Sequence, residues 1–270
     1  MTLYDTKKPR YFRKCRSLTH PSNQQQEHED AMNLSFEGNV ILVAGGTGGL
    51  GRAVSLAFLQ EKATVVVPYF DTAEFASLQQ AAGPFTSSLK GSQLDVTDEA
   101  AIRQFVDTIL AEHGRLDAMV NAIGGYAGGV SLWEMETEVF DRLLALNLRT
   151  GYALVRAAVP HMLLQKHGAI VNVASKAAFD HGAGAAAYAA SKAAAVAMID
   201  SLAADVKGTG VRVNSILPSI IDTAANRRAM PDANFAVWPK PEDLARVILF
   251  LCSDNAKVIH GAAIPVFGDS

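Results

Sequence analysis

Ile41-Leu42-Val43-Ala44-Gly45-Gly46-Thr47-Gly48-Gly49-Leu50-Gly51 joins a short apolar run to a helical pattern through a glycine-rich turn. The apolar part reads as a strand over Asn39 to Val43, and Gly51 to Gln60 reads as a helix. Gly45, Gly49 and Gly51 permit a tight turn and a close approach to the backbone. Exposed amides at a helix start can then hold a pyrophosphate. Glycines also serve ordinary turns. The strand-turn-helix context is what favours a dinucleotide.

Working outward, strand and helix patterns alternate. Strands are expected at Thr64 to Val67, in a run ending at Leu94, at Leu116 to Asn121, at Ala169 to Ala174, at Val211 to Ile216 and at Ile264 to Phe267. Pro68 is expected to stop the second strand, because proline cannot donate to a ladder. Helices are expected at Glu99 to His113, from about Glu136 to near Val155, on towards Leu164, at Tyr188 to Val206 and from Pro241 onward. Residues 219–239 read as a loop ahead of that last helix. This alternation predicts an α/β fold: one Rossmann-type doubly wound domain, with a mostly parallel sheet covered on both faces. Right-handed crossovers place the loops after the strands on one edge, where ligands bind.

The chain has 270 residues, 49% of them hydrophobic, which suits one layered domain of residues 33–270 with a sizeable core. Residues 1–32 differ in composition. A basic cluster from Lys7 to Arg16 precedes Asn23-Gln-Gln-Gln-Glu-His-Glu-Asp30, and this stretch is expected to be a flexible extension. A basic targeting segment is the alternative, although the stretch lacks the apolar centre of a secretory signal. The net charge of -3 argues against nucleic-acid or membrane-surface partners. No apolar run reaches the roughly 18 residues of a membrane span. Cys15 and Cys252 form neither a disulfide framework nor a metal-ligand cluster. A cytoplasmic protein without a metal is expected.

Ser175 stands just beyond the strand run Ala169 to Ala174, and Tyr188-Ala-Ala-Ser-Lys192 follows in an alanine-rich helical pattern. Tyr188 and Lys192 are spaced i,i+4, which puts both on one helix face. A phenol, an ammonium and a hydroxyl that converge can pass a proton to or from a reacting oxygen. Taken singly, each also has an ordinary structural reading in packing, solvation or capping.

Together these stretches resemble the classical short-chain dehydrogenase/reductase family, over roughly Leu34 to Gly268. Ala44-Gly45-Gly-Thr-Gly-Gly49-Leu-Gly51 looks like its cofactor turn, with Ala44 where the family usually has threonine. Asn121-Ala-Ile-Gly124 resembles its Asn-Asn-Ala-Gly motif, with Ala122 in place of the second asparagine. Pro218-Ser-Ile-Ile-Asp-Thr223 resembles its Pro-Gly motif, with Ser219 in place of glycine. The resemblance implies that Asn147, Ser175, Tyr188 and Lys192 are catalytic. It implies coenzyme contacts from Gly45, Thr47, Gly49, Leu50 and Gly51, from Asp95 and Val96 near adenine, and from Asn121, Ala122 and Gly124. Pro218, Ile221, Thr223, Tyr188 and Lys192 are the contacts implied towards nicotinamide and its ribose.

On this reading the chain is an NAD(P)-dependent oxidoreductase acting on a small carbonyl or alcohol, with Tyr188 as the acid/base. Lys192, together with the positive nicotinamide of the oxidised coenzyme, is expected to lower the Tyr188 pKa, Ser175 to bond the substrate oxygen, and Asn147 to hold a water leading protons to solvent. The alternatives are a reductase of an activated C=N or C=C bond and a nucleotide-binding regulator without turnover. NAD or NADP is left open: Tyr69-Phe70-Asp71-Thr72 puts aromatics where an acid would favour NAD, with Asp71 a displaced candidate. Tyr126 is expected at the substrate mouth, His181 to meet a polar substrate group, and Arg227 or Arg228 in a mobile 219–239 lid to attract an acidic substrate. The resemblance, with the small-faced helix after Tyr188, implies a homodimer or homotetramer.

Overall fold

A computed structural model describes residues 34–270. The expected extension at 1–32 lies outside the described residues. The strands are β1 (Val40–Ala44), β2 (Thr64–Tyr69), β3 (Leu89–Gln93), β4 (Ala118–Asn121), β5 (Gly168–Val173), β6 (Val211–Pro218) and β7 (Ala263–Val266). They form one seven-stranded sheet in the order β3-β2-β1-β4-β5-β6-β7, with every neighbouring pair parallel. The helices are α1 (Gly49–Gln60), α2 (Thr72–Ala82), α3 (Glu99–His113), α4 (Thr137–Leu144), α5 (Thr150–Gln165), α6 (Ala186–Asp205), α7 (Ala224–Ala229) and α8 (Pro241–Cys252).

Alternation along β1 shows why both faces are covered. Ile41 and Val43 join α1 and α8 side chains such as Phe58 and Ile248 in one core. Val40, Leu42 and Ala44 join α3, α5 and α6 side chains such as Phe105, Leu154 and Ile199 in the other. Each large apolar side chain so buried contributes about 1.5–3 kcal/mol. The sheet grows from β1 in one direction through β2 and β3, then in the other from β4. The loops after β1 and β4 therefore part and open a crevice between neighbouring strand ends.

Three expectations need correction, and one helix adds to them. β2 runs through Pro68 to Tyr69. The Tyr69 carbonyl accepts from Leu94 beside β3, so Pro68 addresses the β1 side, where pairing has already ended at Leu42↔Val66. Its missing N–H therefore breaks no ladder bond. Residues 72–82 form a helix, capped by the Asp71 carboxylate on the Ala73 and Glu74 amides. The helix expected from Glu136 to Val155 is interrupted by a π turn at Ala145–Arg149 before it continues as α5. The loop at 219–239 contains α7, whose N-cap is Thr223, and a short turn at Phe235–Val237.

Candidate active site

The turn after β1 is built for close backbone approach. A Cβ on Gly51 would lie 2.0 Å from the Gly45 carbonyl oxygen, and one on Gly45 would lie 2.9 Å from the Ala122 carbonyl. A Cβ on Gly49 would stand 2.8 Å from Thr223 Cγ2. The loops after β1, β4 and β6 thus meet at these glycines. Ser55 Oγ donates to the Gly46 carbonyl at 3.2 Å and holds the turn from below. Gly48 occupies the N-cap of α1 and offers no side-chain oxygen to the first-turn amides. Those amides, at the positive end of the helix dipole, suit a pyrophosphate.

Several residues expected at the coenzyme also serve the protein itself. Asn121 is buried; its Nδ2 donates to Asn172 Oδ1 at 3.0 Å and its Oδ1 accepts from the Ile123 amide at 3.2 Å. Thr47 Oγ1 donates to Glu74 Oε2 at 2.9 Å. Asp95 Oδ1 accepts from the Thr97 amide and hydroxyl, which holds its carboxyl below the ordinary value. Leu50 packs into the core under the turn, and Val96 lies partly buried against the opposite core. Pro218 is buried at the end of β6, followed by half-buried Ile221. Thr223 Oγ1 accepts from the Asn226 amide at 3.2 Å.

Lys192 and Tyr188 project from one face of α6 towards the end of β5. Lys192 is 5% exposed, and its Nζ donates to the Val173 carbonyl at 3.1 Å. Burial pushes its pKa down to about 8. Burial raises the Tyr188 phenol above its ordinary value, interaction with the Ser175 hydroxyl pulls it down, and Tyr126 adds a further upward push. Lys192 is not among the groups that shift the phenol in the chain alone, where burial outweighs Ser175. Ser175 caps the short turn after β5 by accepting from the Ala177 amide at 3.1 Å.

Asn147 sits in the π turn and is 3% exposed. Its Oδ1 accepts from the Gly125 amide at 2.8 Å, and its Nδ2 donates to the Gly125 carbonyl at 3.0 Å and to Ser191 Oγ at 2.9 Å. Ser191 Oγ in turn donates to the Tyr188 carbonyl at 2.8 Å. A Cβ on Gly124 would stand 3.0 Å from Lys192 Nζ and 3.1 Å from Asn147 Oδ1, so a bare glycine keeps that approach open. The Asn147 side chain is thus a clamp between the loop after β4 and α6. Ser191 was missed from sequence, although it directly precedes Lys192.

Around this centre the substrate-side expectations divide. The Tyr126 ring packs edge-on against Tyr188, centroids 5.0 Å apart, and is 68% exposed at the mouth. His181 Nε2 lies 3.2 Å from the Ala178 carbonyl, within its own loop. Arg227 is held by both Asp222 carboxylate oxygens, at 2.5 and 2.8 Å, and lies over the Phe235 ring. It is therefore engaged inside the segment that carries it, while Arg228 stays exposed. Among the described residues no group of acids, histidines and cysteines could hold a metal, and no helix is long and apolar enough to cross a membrane.

Comparison with known proteins agrees with this arrangement. The family model described as short chain dehydrogenase matches residues 39–234. The chain is 32% identical over 243 residues to the 3-oxoacyl-(acyl-carrier-protein) reductase FabG of Thermotoga maritima, covering 87% of this chain and 98% of that one. It is also 32% identical over 257 residues to D-threitol dehydrogenase of Mycolicibacterium smegmatis, covering 91% and 97%. Among solved structures, a short-chain dehydrogenase/reductase from Burkholderia xenovorans superposes with a TM-score of 0.79 at 31% identity, covering 86% and 96% of the two chains. With the glycine turn, the parallel sheet and these relatives in agreement, the chain belongs to the short-chain dehydrogenase/reductase family of NAD(P)-dependent oxidoreductases.

Proposed function

We propose that the protein interconverts a carbonyl and a secondary alcohol, with Tyr188 as the acid/base. The observation that carries this reading is the buried Lys192 ammonium, held on the Val173 carbonyl one helical turn from Tyr188, with the Ser175 hydroxyl near enough to pull the phenol's pKa down. Bound NAD(P)H supplies the hydride for the carbonyl carbon. Tyr188 Oη gives its proton to the carbonyl oxygen as negative charge develops there, and Ser175 Oγ donates a hydrogen bond to the same oxygen. In the oxidative direction Tyr188 takes the alcohol proton instead. Its raised pKa keeps the phenol protonated at neutral pH, which suits reduction.

Lys192 supports this chemistry by position. Among the described residues one of its three ammonium donors is taken, by Val173, which leaves the others for a ribose hydroxyl. Asn147 acts by holding Gly125 and Ser191, so that the loop after β4 cannot swing away from α6. Gly45, Gly49 and Gly51 present the α1 amides to the pyrophosphate. The names of the relatives, a ketoacyl reductase and a polyol dehydrogenase, support small carbonyl or alcohol substrates. The reading includes a cytoplasmic homodimer or homotetramer, in which the exposed Tyr152, Leu163 and Leu164 of α5 meet another copy.

The test is a panel of ketones, aldehydes, secondary alcohols, imines and enones, followed by reduced-coenzyme absorbance. Turnover of carbonyls and alcohols supports the proposal. Turnover confined to imines or enones would replace it with C=N or C=C reduction.

A further inference from the structure

The adenosine end of the glycine turn carries a selection between coenzymes. The hydrogen bond from Thr47 Oγ1 to Glu74 Oε2, 2.9 Å long, ties the middle of the turn to the first turn of α2. A carboxylate is thereby fixed beside the crevice, at the strand end next to the pyrophosphate turn. Asp71, the acid that the sequence places nearest the end of β2, is engaged elsewhere: its Oδ1 accepts from the Ala73 and Glu74 amides at 2.7 and 3.4 Å.

The remaining groups at this rim are also unsuited to a ribose 2′-phosphate. Tyr69 lies flat on Phe75, with centroids 4.3 Å apart and planes 4° apart, and so is folded over α2. The next residue, Phe70, is 75% exposed and presents an apolar ring. Gly46 and Gly48 flank Thr47 without side chains. Arg52 follows the turn directly, but its guanidinium donates to Ser77 Oγ and the Ser77 carbonyl, both at 3.1 Å.

The two coenzymes differ at the adenosine ribose. NADP carries a 2′-phosphate, which bears nearly two negative charges at neutral pH and calls for a cation. NAD carries a 2′-hydroxyl, which can donate to a carboxylate. We propose that Glu74, held by Thr47, makes this protein select NAD(H) over NADP(H). The inference rests on the coenzyme reading above and adds the choice within it. Glu74 acts by accepting from the ribose hydroxyl and by repelling the phosphate. Phe70 withholds any compensating donor from the same rim.

Titration of the full chain with NADH and with NADPH, read by nicotinamide fluorescence, tests it. NADH is expected to bind at least about tenfold more tightly, the scale of a carboxylate facing a phosphate dianion across a few ångströms of water. Glu74→Gln should tighten NADPH and weaken NADH, so that the ratio narrows, and Glu74→Lys should reverse the order. Circular dichroism and thermal unfolding of each variant show that it is folded. NADPH binding as tightly as NADH in the parent chain, or an unchanged ratio in both variants, overturns the Glu74 assignment alone. Binding of neither coenzyme overturns the coenzyme reading and this choice together.

Discussion

Lys192 Nζ donates to the Val173 carbonyl at 3.1 Å, which ties the ammonium of α6 to the last residue of β5. Ser175 lies two residues further along the same backbone. The bond therefore sets the phenol-bearing helix against the segment that carries the hydroxyl. The ammonium is buried with a neutral partner, so the position is maintained against a desolvation penalty.

Tyr188→Phe removes the transferable proton and keeps the ring against Tyr126. Turnover should fall about 10²–10⁴-fold, the usual contribution of a positioned general acid. Coenzyme affinity should stay within a few-fold. Steady-state kinetics with a coenzyme titration read both, and near-normal turnover would remove Tyr188 from its role.

Lys192→Met should stabilise the coenzyme-free fold while abolishing turnover. The folded pKa of about 8 lies below the ordinary 10.5. Below pH 8 both states are charged and the burial penalty is fully present. Between the two values the unfolded state binds more protons, so stability rises with pH, and above 10.5 the penalty is gone. The shift corresponds to about 3 kcal/mol, reduced by about 1 kcal/mol for the lost bond to Val173. Urea unfolding at pH 7 should show the gain, and at pH 10 it should have shrunk.

The direction of turnover should depend on pH through Tyr188. Its raised pKa keeps the phenol protonated, so alcohol oxidation, which needs it as a base, should climb as pH rises above neutrality. Carbonyl reduction should stay level until the pH passes the ordinary tyrosine value of 10.0 and decline only beyond it. Rate profiles in both directions check this, and parallel profiles would argue against a shared Tyr188.

Gly51→Ala places a methyl 2.0 Å from the Gly45 carbonyl oxygen, a backbone atom that no rotamer can move aside. Coenzyme affinity should drop at least about tenfold, and the fold should lose about 2 kcal/mol as the turn is forced open. Coenzyme titration and thermal unfolding measure the two effects separately.

Asp117→Ala should destabilise without touching the site. Asp117 is 3% exposed, accepts from the Val40 amide at 2.8 Å, and takes Nε and Nη2 of Arg115 at 2.8 and 2.6 Å. It fastens the beginnings of β1 and β4, at the far end of the sheet from the crevice. Its loss leaves the buried Val40 amide unpaired and should cost about 1–3 kcal/mol by denaturant unfolding, with coenzyme affinity of the folded protein unchanged.

The parallel sheet and the glycine turn were legible because they rest on local signals: β-branched runs, helical spacing, and glycines where a side chain would strike backbone. The i,i+4 spacing of Tyr188 and Lys192 was legible for the same reason. Asp71 shows where that kind of reading ends. An acid after β2 suits a ribose ligand and a helix cap equally, and only the neighbouring amides decide for the cap. Pro68 misled because a strand's tolerance for proline depends on which neighbour each residue faces. Arg227 looked available to substrate because its partner, Asp222, reaches it only once α7 has folded. The Tyr188 pKa depends on burial, which no spacing reveals.

The π turn at Ala145–Arg149 makes one rod out of two phases. Its i→i+5 bonds, from the Thr150 amide and hydroxyl to the Ala145 carbonyl, accommodate one residue more than a regular helix would. Each residue turns a helix by about 100°, so α4 and α5 face directions that differ by that surplus step. Deleting one residue between Ala145 and Arg149 would leave a good helix former, yet either Asn147 would swing off Gly125 or the buried Ala153–Leu154 face would leave the sheet. This segment should therefore accept many changes of residue identity and almost none of length, because the clamp is set by counting positions along the rod.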